Sequence, residues 1–316
     1  MGAVSRAGSG GHYWEFFMRP VLAFLIAILP FATPAFSEGR EVIGTGRLFT
    51  NDFFGDGRDR WRTGSYVYSH VRGRDAYTGT ESFGDLIEYR LRAEIIAPAT
   101  GPAPGDRPYV GAMSIGALTH FDMSSVQVSL GSELTAIGPQ TGLSAFQESF
   151  HDAFDMPGPR FPEDQVDDAF FLSGIAAATR PYRLADNISV RPFVEGQIGA
   201  EDFVRAGADM IIGRVAQDDL LLRDVVTGQL YRGTEGDAVG LSYLIGADVA
   251  SVFDSHYLPA DMGYTVSDTR TRARAGVFWQ MGEDVSFFYG ATYLSEEFEG
   301  QTEGQVLGSL KLNFNF

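Results

Sequence analysis

The sequence predicts an all-β protein: an antiparallel outer-membrane β-barrel of about twelve strands with one short helix in an extracellular loop. Three observations predict it. An export signal opens the chain, apolar and polar residues alternate along most of the remainder, and no later apolar run is long enough for a membrane helix. Closure into a barrel would also remove the unpaired edges that so many strands expose.

Composition excludes several classes of protein. With 316 residues, 44% hydrophobic and 13% aromatic, the chain can bury a core and is not disordered. It has no cysteine, which excludes disulfides, a thiol nucleophile and thiolate metal sites. The net charge is -17 and the only lysine is Lys311, so we expect no nucleic-acid partner.

The first 37 residues form the export signal. Met18-Arg19-Pro20 precedes an apolar core at 21–29, which is too short to span a bilayer, and Ala35-Phe36-Ser37 fits a small-x-small cleavage site. We expect cleavage after Ser37, with Met18 as a possible initiator. An uncleaved anchor is the alternative. Residues 38–316 then form a single transmembrane barrel domain.

The C-terminal segment shows the alternation most clearly. Val306, Leu310, Leu312 and Phe314 share one face, while polar residues including Lys311 occupy the other. The chain ends on Phe316, similar to the C-terminal signature of bacterial outer-membrane barrels. A half-buried edge strand of a soluble protein would show the same alternation.

Similar segments recur along the chain. Strands are expected near 41–49, 63–71, 84–96, 109–122, 126–138, 169–182, 186–199, 202–216, 240–253, 270–281, 285–295 and 305–316. Aromatic residues such as Tyr289 and Tyr293 are typical of strands that cross lipid headgroups. A soluble β-sandwich or propeller is the structural alternative, although the sequence has no propeller-like repeat.

One segment, 141–155, has helical spacing. Leu143, Phe146, Phe150 and Phe154 form an apolar stripe that would bury against the barrel wall, the membrane interface or a lipid substrate. Gln147 and His151 lie four residues apart on the other flank. On composition alone His151 is a solvated residue of the polar face; its functional interpretation is a site histidine.

No standard hydrolase motif is present. The chain has neither a G-x-S-x-G elbow nor an H-E-x-x-H pair, a P-loop or a dinucleotide fingerprint. Asn51-Asp52 follows the first strand, and 59–64 opens the second. This region is either an ordinary turn or an oxygen-rich cluster able to hold a hard cation.

Four segments in this order resemble the outer-membrane lipid A 3'-O-deacylase family. They are Asn51-Asp52 with 60–64, Asp106-Arg107-Pro108-Tyr109-Val110-Gly111, Gly138-Pro139 through Gln147 to His151, and 164–168. The third is the most specific, since its residues keep their order and helical spacing.

The resemblance implies a twelve-stranded barrel in the outer membrane whose site lies near the outer rim. It implies an esterase that removes an acyl group from lipid A of lipopolysaccharide, with His151 as the base that activates water. Asn51, Asp52 and Thr63 would line the site, Asn51 and Asp52 would hold a divalent cation, usually Ca²⁺, and Arg107 and Gln147 would bind substrate. Neutral imidazole suits the base, and an arginine can hold a phosphate bidentately. We expect a monomer among outer-membrane lipids.

The chain departs from the family pattern where a lysine commonly meets the substrate phosphate, since it has none before Lys311. Two alternatives stay open. One is a non-catalytic barrel that serves as a pore or structural protein. The other is a barrel esterase with a serine nucleophile, Ser144 or Ser149, beside His151.

Overall fold

The computed structural model describes residues 39–99, 106–153, 155, 165–282 and 285–314. The expected signal peptide at 1–37, with Met18 and the cleavage site, lies outside these residues, as do Phe154 and Phe316. None of the helices among the described residues is long and apolar enough to cross a bilayer.

Twelve long antiparallel strands form the wall, as the sequence predicts. The first six are β1 (Glu41–Asn51), β2 (Trp61–Gly73), β3 (Leu86–Ala97), β4 (Val110–Met123), β5 (Val126–Ile137) and β6 (Ala169–Thr179). After the short β7 (Tyr182–Ala185) come β8 (Ile188–Ile198) and β9 (Glu201–Gly213). Beyond the short β10 (Leu221–Arg223) and β11 (Leu230–Arg232) lie β12 (Gly240–Ser255), β13 (Thr269–Gln280), β14 (Val285–Leu294) and β15 (Gln305–Phe314).

The strands close into a ring. Sequential neighbours pair from β1 to β6 and from β8 through β9 and β12 to β15. The first strand pairs with the last, Phe49 opposite Leu310, and β6 pairs with β8, Thr179 opposite Phe193. The twelve long strands therefore form a closed ring, and in this sheet only the short β7, which pairs with β8 alone among the described strands, keeps an unpaired side.

The alternation in sequence separates lipid from lumen. On β12 the apolar row is exposed on the outer surface, with Leu241 at 48% and Phe253 at 71%. On β15 Leu312 is 49% exposed while Lys311 and Leu307 are buried inside. An outward apolar row is what a membrane-spanning strand presents to lipid.

The lumen is filled with paired charges. On β13 the inward residues are arginines at every second position: Arg272 Nε donates to Asp248 Oδ1 at 2.9 Å, and Arg274 Nη2 lies 2.6 Å from Asp209 Oδ1. Arg90 likewise contacts Glu88 on its own strand. Buried charges of this kind are stable only when they are paired and hydrogen-bonded.

The connection between β9 and β12, residues 214–239, folds into the lumen as the β10–β11 hairpin. The Tyr231 hydroxyl lies 2.9 Å from Ser69 Oγ on β2, and Gln229 Nε2 donates to Thr292 Oγ1 at 3.0 Å on β14. A Cβ at Gly46 would lie 2.8 Å from the Tyr231 ring, so the wall leaves room for the hairpin there. Nothing in the sequence predicts this hairpin.

The helix α1 (Leu143–Ala153) lies between β5 and β6. The rim on which it lies is named the α1 rim. The same rim carries residues 52–60, 98–99, 106–109, 256–268 and 295–304. The opposite rim carries residues 74–85 and 186–187. It also carries the two ends of the connection 214–239, whose middle part forms the hairpin in the lumen. The predicted helix is confirmed, preceded by a 3-10 turn at Pro139–Thr141.

Candidate active site

The α1 helix sits close to the barrel wall because Gly111 on β4 has no side chain. A Cβ at Gly111 would lie 2.6 Å from Thr141 Oγ1 and 3.1 Å from Leu143 Cβ. Both distances are well below ordinary van der Waals contact. Any larger residue here would push the start of α1 off the wall.

The segment before α1 is fixed by a backbone conformation and by one carboxylate. Gly138 has φ +93°, and a Cβ there would lie 2.7 Å from Asp168 Oδ1. Pro139 follows at the first position of the 3-10 turn, where its missing N–H costs nothing. Asp168 Oδ1 accepts the backbone N–H of Gln140 at 2.7 Å. Asp168, the last residue of the fourth motif, therefore anchors the loop.

The helix turns its polar flank, rather than its aromatic stripe, to the wall. Leu143, Gln147 and His151 are its buried residues, whereas Phe146 is 51% exposed and Phe150 is 44% exposed. Leu143, the first residue of the predicted apolar stripe, is buried next to Gly111, whereas the next two residues of the stripe are about half exposed. His151 is thus not a solvated histidine.

His151 faces an aspartate from the first loop. Its Nε2 lies 3.7 Å from Asp59 Oδ2, and only 5% of His151 is exposed. Burial raises the pKa of Asp59 above its ordinary value, an increase that His151 and Thr63 oppose. The sequence places Asp59 in the segment 59–64, predicted to be a turn or a cation-holding cluster, but does not predict its pairing with His151.

Gln147 lies one helical turn before His151 on the same buried flank. It is 3% exposed, and its amide has no hydrogen-bond partner in the part of the chain that the structure describes. A buried amide without a partner is costly, which marks Gln147 as a group that can accept and donate to a ligand or water.

Asn51 and Asp52 end the first strand and shape the loop beside Asp59. Asn51 Nδ2 donates to the carbonyl of Thr63 at 3.0 Å, and Asn51 Oδ1 accepts from the N–H of Phe53 at 2.9 Å. Asp52 Oδ2 accepts from the N–H of Arg60 at 3.0 Å. Burial raises the pKa of Asp52 to about 8; the hydrogen bond from Arg60 works against this and the charge of Asp59 adds to it.

These contacts bring most of the predicted residues together. Asn51 touches Thr63, Thr63 lies beside Asp59, and Asp59 pairs with His151, all at the α1 rim. Gln147 shares the buried flank of α1 with His151. The exception is Arg107.

Arg107 points into the lumen. Its Nη1 lies 2.6 Å from Glu297 Oε2, and its side chain is 0% exposed. Burial acts to raise the pKa of Glu297, but the charges of Arg62, Arg107 and Arg270 overcome this and hold the pKa well below its usual range. The geometry does not favour the prediction that Arg107 binds a substrate phosphate, which stays a prediction.

Comparison with known proteins decides the family. The model of the family described as "Outer membrane protein LpxR" matches residues 21–316. The chain belongs to the LpxR family. This is a family of outer-membrane lipid A 3'-deacylases, which are hydrolases, as the sequence resemblance implied.

The solved structure of LpxR from Salmonella typhimurium agrees with the fold. LpxR from Salmonella typhimurium is 17% identical, with a TM-score of 0.69 over 86% of this chain and 100% of that one. The β domain of the Bordetella autotransporter BrkA is 10% identical, with a TM-score of 0.44 over 88% of this chain and 100% of that one. A search of curated proteins finds no match.

Proposed function

We propose that this LpxR-family barrel hydrolyses an acyl ester of lipid A by a water molecule that His151 activates. The observation that carries the proposal is the His151–Asp59 pair, held on the buried flank of α1 in a chain of this family. Outer-membrane barrels carry their longer loops on the extracellular side. The α1 rim, with its 31-residue connection at 138–168, is therefore assigned to the outer surface, where lipid A lies.

The residues divide the chemistry between them. His151 takes a proton from water and returns one to the departing alcohol, the role for which neutral imidazole is suited. Asp59 orients the ring and stabilises the imidazolium that forms, as the acidic member of a catalytic triad does. The amide of Gln147 binds the ester or the water, since it has no hydrogen-bond partner among the described residues.

A divalent cation fits the loop beside this pair. Asp52 is a buried carboxyl with no side-chain nitrogen of arginine or lysine within 4.0 Å among the described residues, and Asn51 adds an amide oxygen. Hard oxygen donors of this kind suit Ca²⁺. The described residues contain no group of three or more His, Asp or Glu side chains placed to hold a metal, so water and substrate oxygens would complete the shell. Such a cation would polarise the ester carbonyl.

The aromatic side chains around the site suit a lipid substrate. Phe146 and Phe150 on α1 are about half exposed, and Phe53 in the first loop is 68% exposed. We propose that Phe146 and Phe150 contact the acyl chains of lipid A in the outer leaflet. Burying such rings against hydrocarbon contributes about 25 cal/mol per Å² of apolar surface.

Two observations weigh against the alternatives. Ser149 Oγ donates to the carbonyl of Ala145 at 2.8 Å on the exposed side of α1, and Ser144 lies seven residues, about 10 Å of helix rise, from His151. Neither serine reaches the imidazole from its place on α1. The charged lumen and its hairpin also make a passive pore a poorer interpretation than a site at the rim.

The test uses purified protein in detergent, mixed with lipid A and Ca²⁺, and follows the lipid by mass spectrometry. We expect loss of one acyl group with the wild type, no loss with His151→Ala, and no loss with EDTA. His256→Ala, an exposed histidine on the same rim, is the matched control and should stay active. An unchanged lipid mass with a correctly folded wild type would refute the deacylase proposal.

A further inference from the structure

One buried arginine differs from all the others. Eleven arginines are less than 9% exposed, and ten of them have a carboxylate oxygen within 4.0 Å. Arg191 on β8 is 6% exposed and has none among the described residues. The lumen otherwise pairs its guanidinium groups with carboxylates, so Arg191 is an exception that needs a physical account.

The contacts of Arg191 are neutral. Its Nη2 donates to Gln127 Oε1 at 2.6 Å, and Gln127 Nε2 donates in turn to the Tyr77 hydroxyl at 3.1 Å. Asp209 and Asp122 attract it from beyond 4.0 Å, and Asp209 is already bound by Arg223 at 2.7 Å. A buried charge without a paired counter-charge is unfavourable, because burial removes its hydration and a neutral hydrogen bond replaces only part of it.

Arg191 lines a cavity inside the barrel. The cavity lies between the wall and the β10–β11 hairpin, and its lining also includes His120, Ser129 and Arg223. The carboxylate Glu195 lines it too, but it is paired with Arg205, Arg223 and Arg272. Its volume of about 80 Å³ is several times what one water molecule requires. There is space beside the guanidinium for a ligand of several atoms.

The lining of the same cavity also includes the hydroxyl of Ser129. Ser129 Oγ lies 2.8 Å from His120 Nδ1, and His120 Nε2 lies 2.8 Å from Glu88 Oε2. This chain of contacts fixes the place of the hydroxyl on the cavity wall. A planar guanidinium binds carboxylate and phosphate oxygens two at a time. His120 Nε2 donates to Glu88, so the Ser129 hydroxyl can donate to a further ligand oxygen when Nδ1 is also protonated and donates to Ser129.

We propose that the lumen of this barrel binds a small oxyanion, a carboxylate or a phosphate, with Arg191 as its counter-ion and Ser129 as a second donor. Because the guanidinium of Arg191 has no paired carboxylate among the described residues, a ligand with one negative charge would complete the pair. The cavity is separate from the residues at the α1 rim, so this proposal does not depend on the proposed deacylase activity.

The test measures thermal unfolding of the whole protein in non-ionic detergent. NaCl is replaced stepwise by sodium acetate in one series and by sodium phosphate in another, at constant ionic strength. A ligand that binds only the folded state raises the unfolding temperature in a saturable way. We expect such a rise in at least one series; the series that gives it identifies the ligand as carboxylate or phosphate.

Three variants complete the test. Arg191→Gln should shift the half-saturating concentration at least tenfold upwards, and Ser129→Ala should shift it several-fold. Arg183→Gln is the control, because Arg183 is exposed and pairs with Asp218; it should behave as the wild type. The proposal is wrong if the wild type shows no saturable rise in either series. It is also wrong if Arg191→Gln responds as the wild type does. If Arg191→Gln does not fold, the same criterion applies to Ser129→Ala.

Discussion

Replacing Gly111 with alanine tests whether the distance between α1 and the wall controls activity. The added methyl carbon would lie 2.6 Å from Thr141 Oγ1, so the turn before α1 must move outwards. Ordinary contact begins near 3.4 Å, which requires a shift of roughly 0.8 Å. A displacement of about 1 Å can cost about 10²-fold in rate. We therefore expect Gly111→Ala to slow deacylation by about 30- to 100-fold while the barrel still folds.

The assay is initial-rate lipid A deacylation followed by mass spectrometry, with folding checked by heat-dependent mobility on gels. Gly174→Ala is the matched control, since Gly174 also lies in a wall strand and a Cβ there meets nothing within 4 Å. The double variant Gly111→Ala/Thr141→Ala removes the clashing hydroxyl and should recover part of the lost rate. If Gly111→Ala keeps more than half of the wild-type rate, or Gly174→Ala loses as much, the reasoning is refuted.

Three further predictions follow from the site. Asp59→Asn should lower the deacylation rate by about 10²–10⁴-fold, whereas the exposed Asp152→Asn on α1 should not; equal losses would contradict the pairing with His151. Because burial raises the pKa of Asp59, the folded protein keeps a proton that the unfolded chain has lost. Stability should therefore fall as the pH rises from about 4 through that raised pKa, and thermal unfolding of Asp59→Asn should lack this part of the slope. Parallel curves of stability against pH for the wild type and Asp59→Asn would exclude this contribution of Asp59. Phe146→Ser/Phe150→Ser should weaken lipid A turnover about tenfold through KM and spare a short water-soluble ester; a loss on both substrates would point to a displaced helix instead.

The wall was predictable from the sequence because lipid-facing strands alternate strongly. The row on β12 from Leu241 to Phe253 is apolar since every second side chain meets hydrocarbon, and its exposure shows this arrangement. The helix was predictable from its spacing, but the side that it buries was not. Helical amphipathicity indicates the buried side only when the partner is apolar, and here α1 buries Gln147 and His151 together with Leu143.

Two parts of the molecule could not be read from the sequence. Asp59 meets His151 across 92 positions of chain, and only the closed ring of strands brings them together. The β10–β11 hairpin has strands of three residues, too short for any alternation to show. Arg107 follows the family motif, yet its side chain pairs with Glu297 inside the barrel.

The connection at 214–239 also bears on how the barrel is assembled. It leaves β9 and enters β12 at adjacent points on one rim, where Gly213 pairs with Ser242. A segment tethered in this way can enter a ring that has already closed, without threading a chain end through it. Insertion of the wall into the membrane and filling of its interior are therefore separable events in biogenesis. The charged lining can stay hydrated until the hairpin arrives, so the wall need not bury its arginines while it is still open.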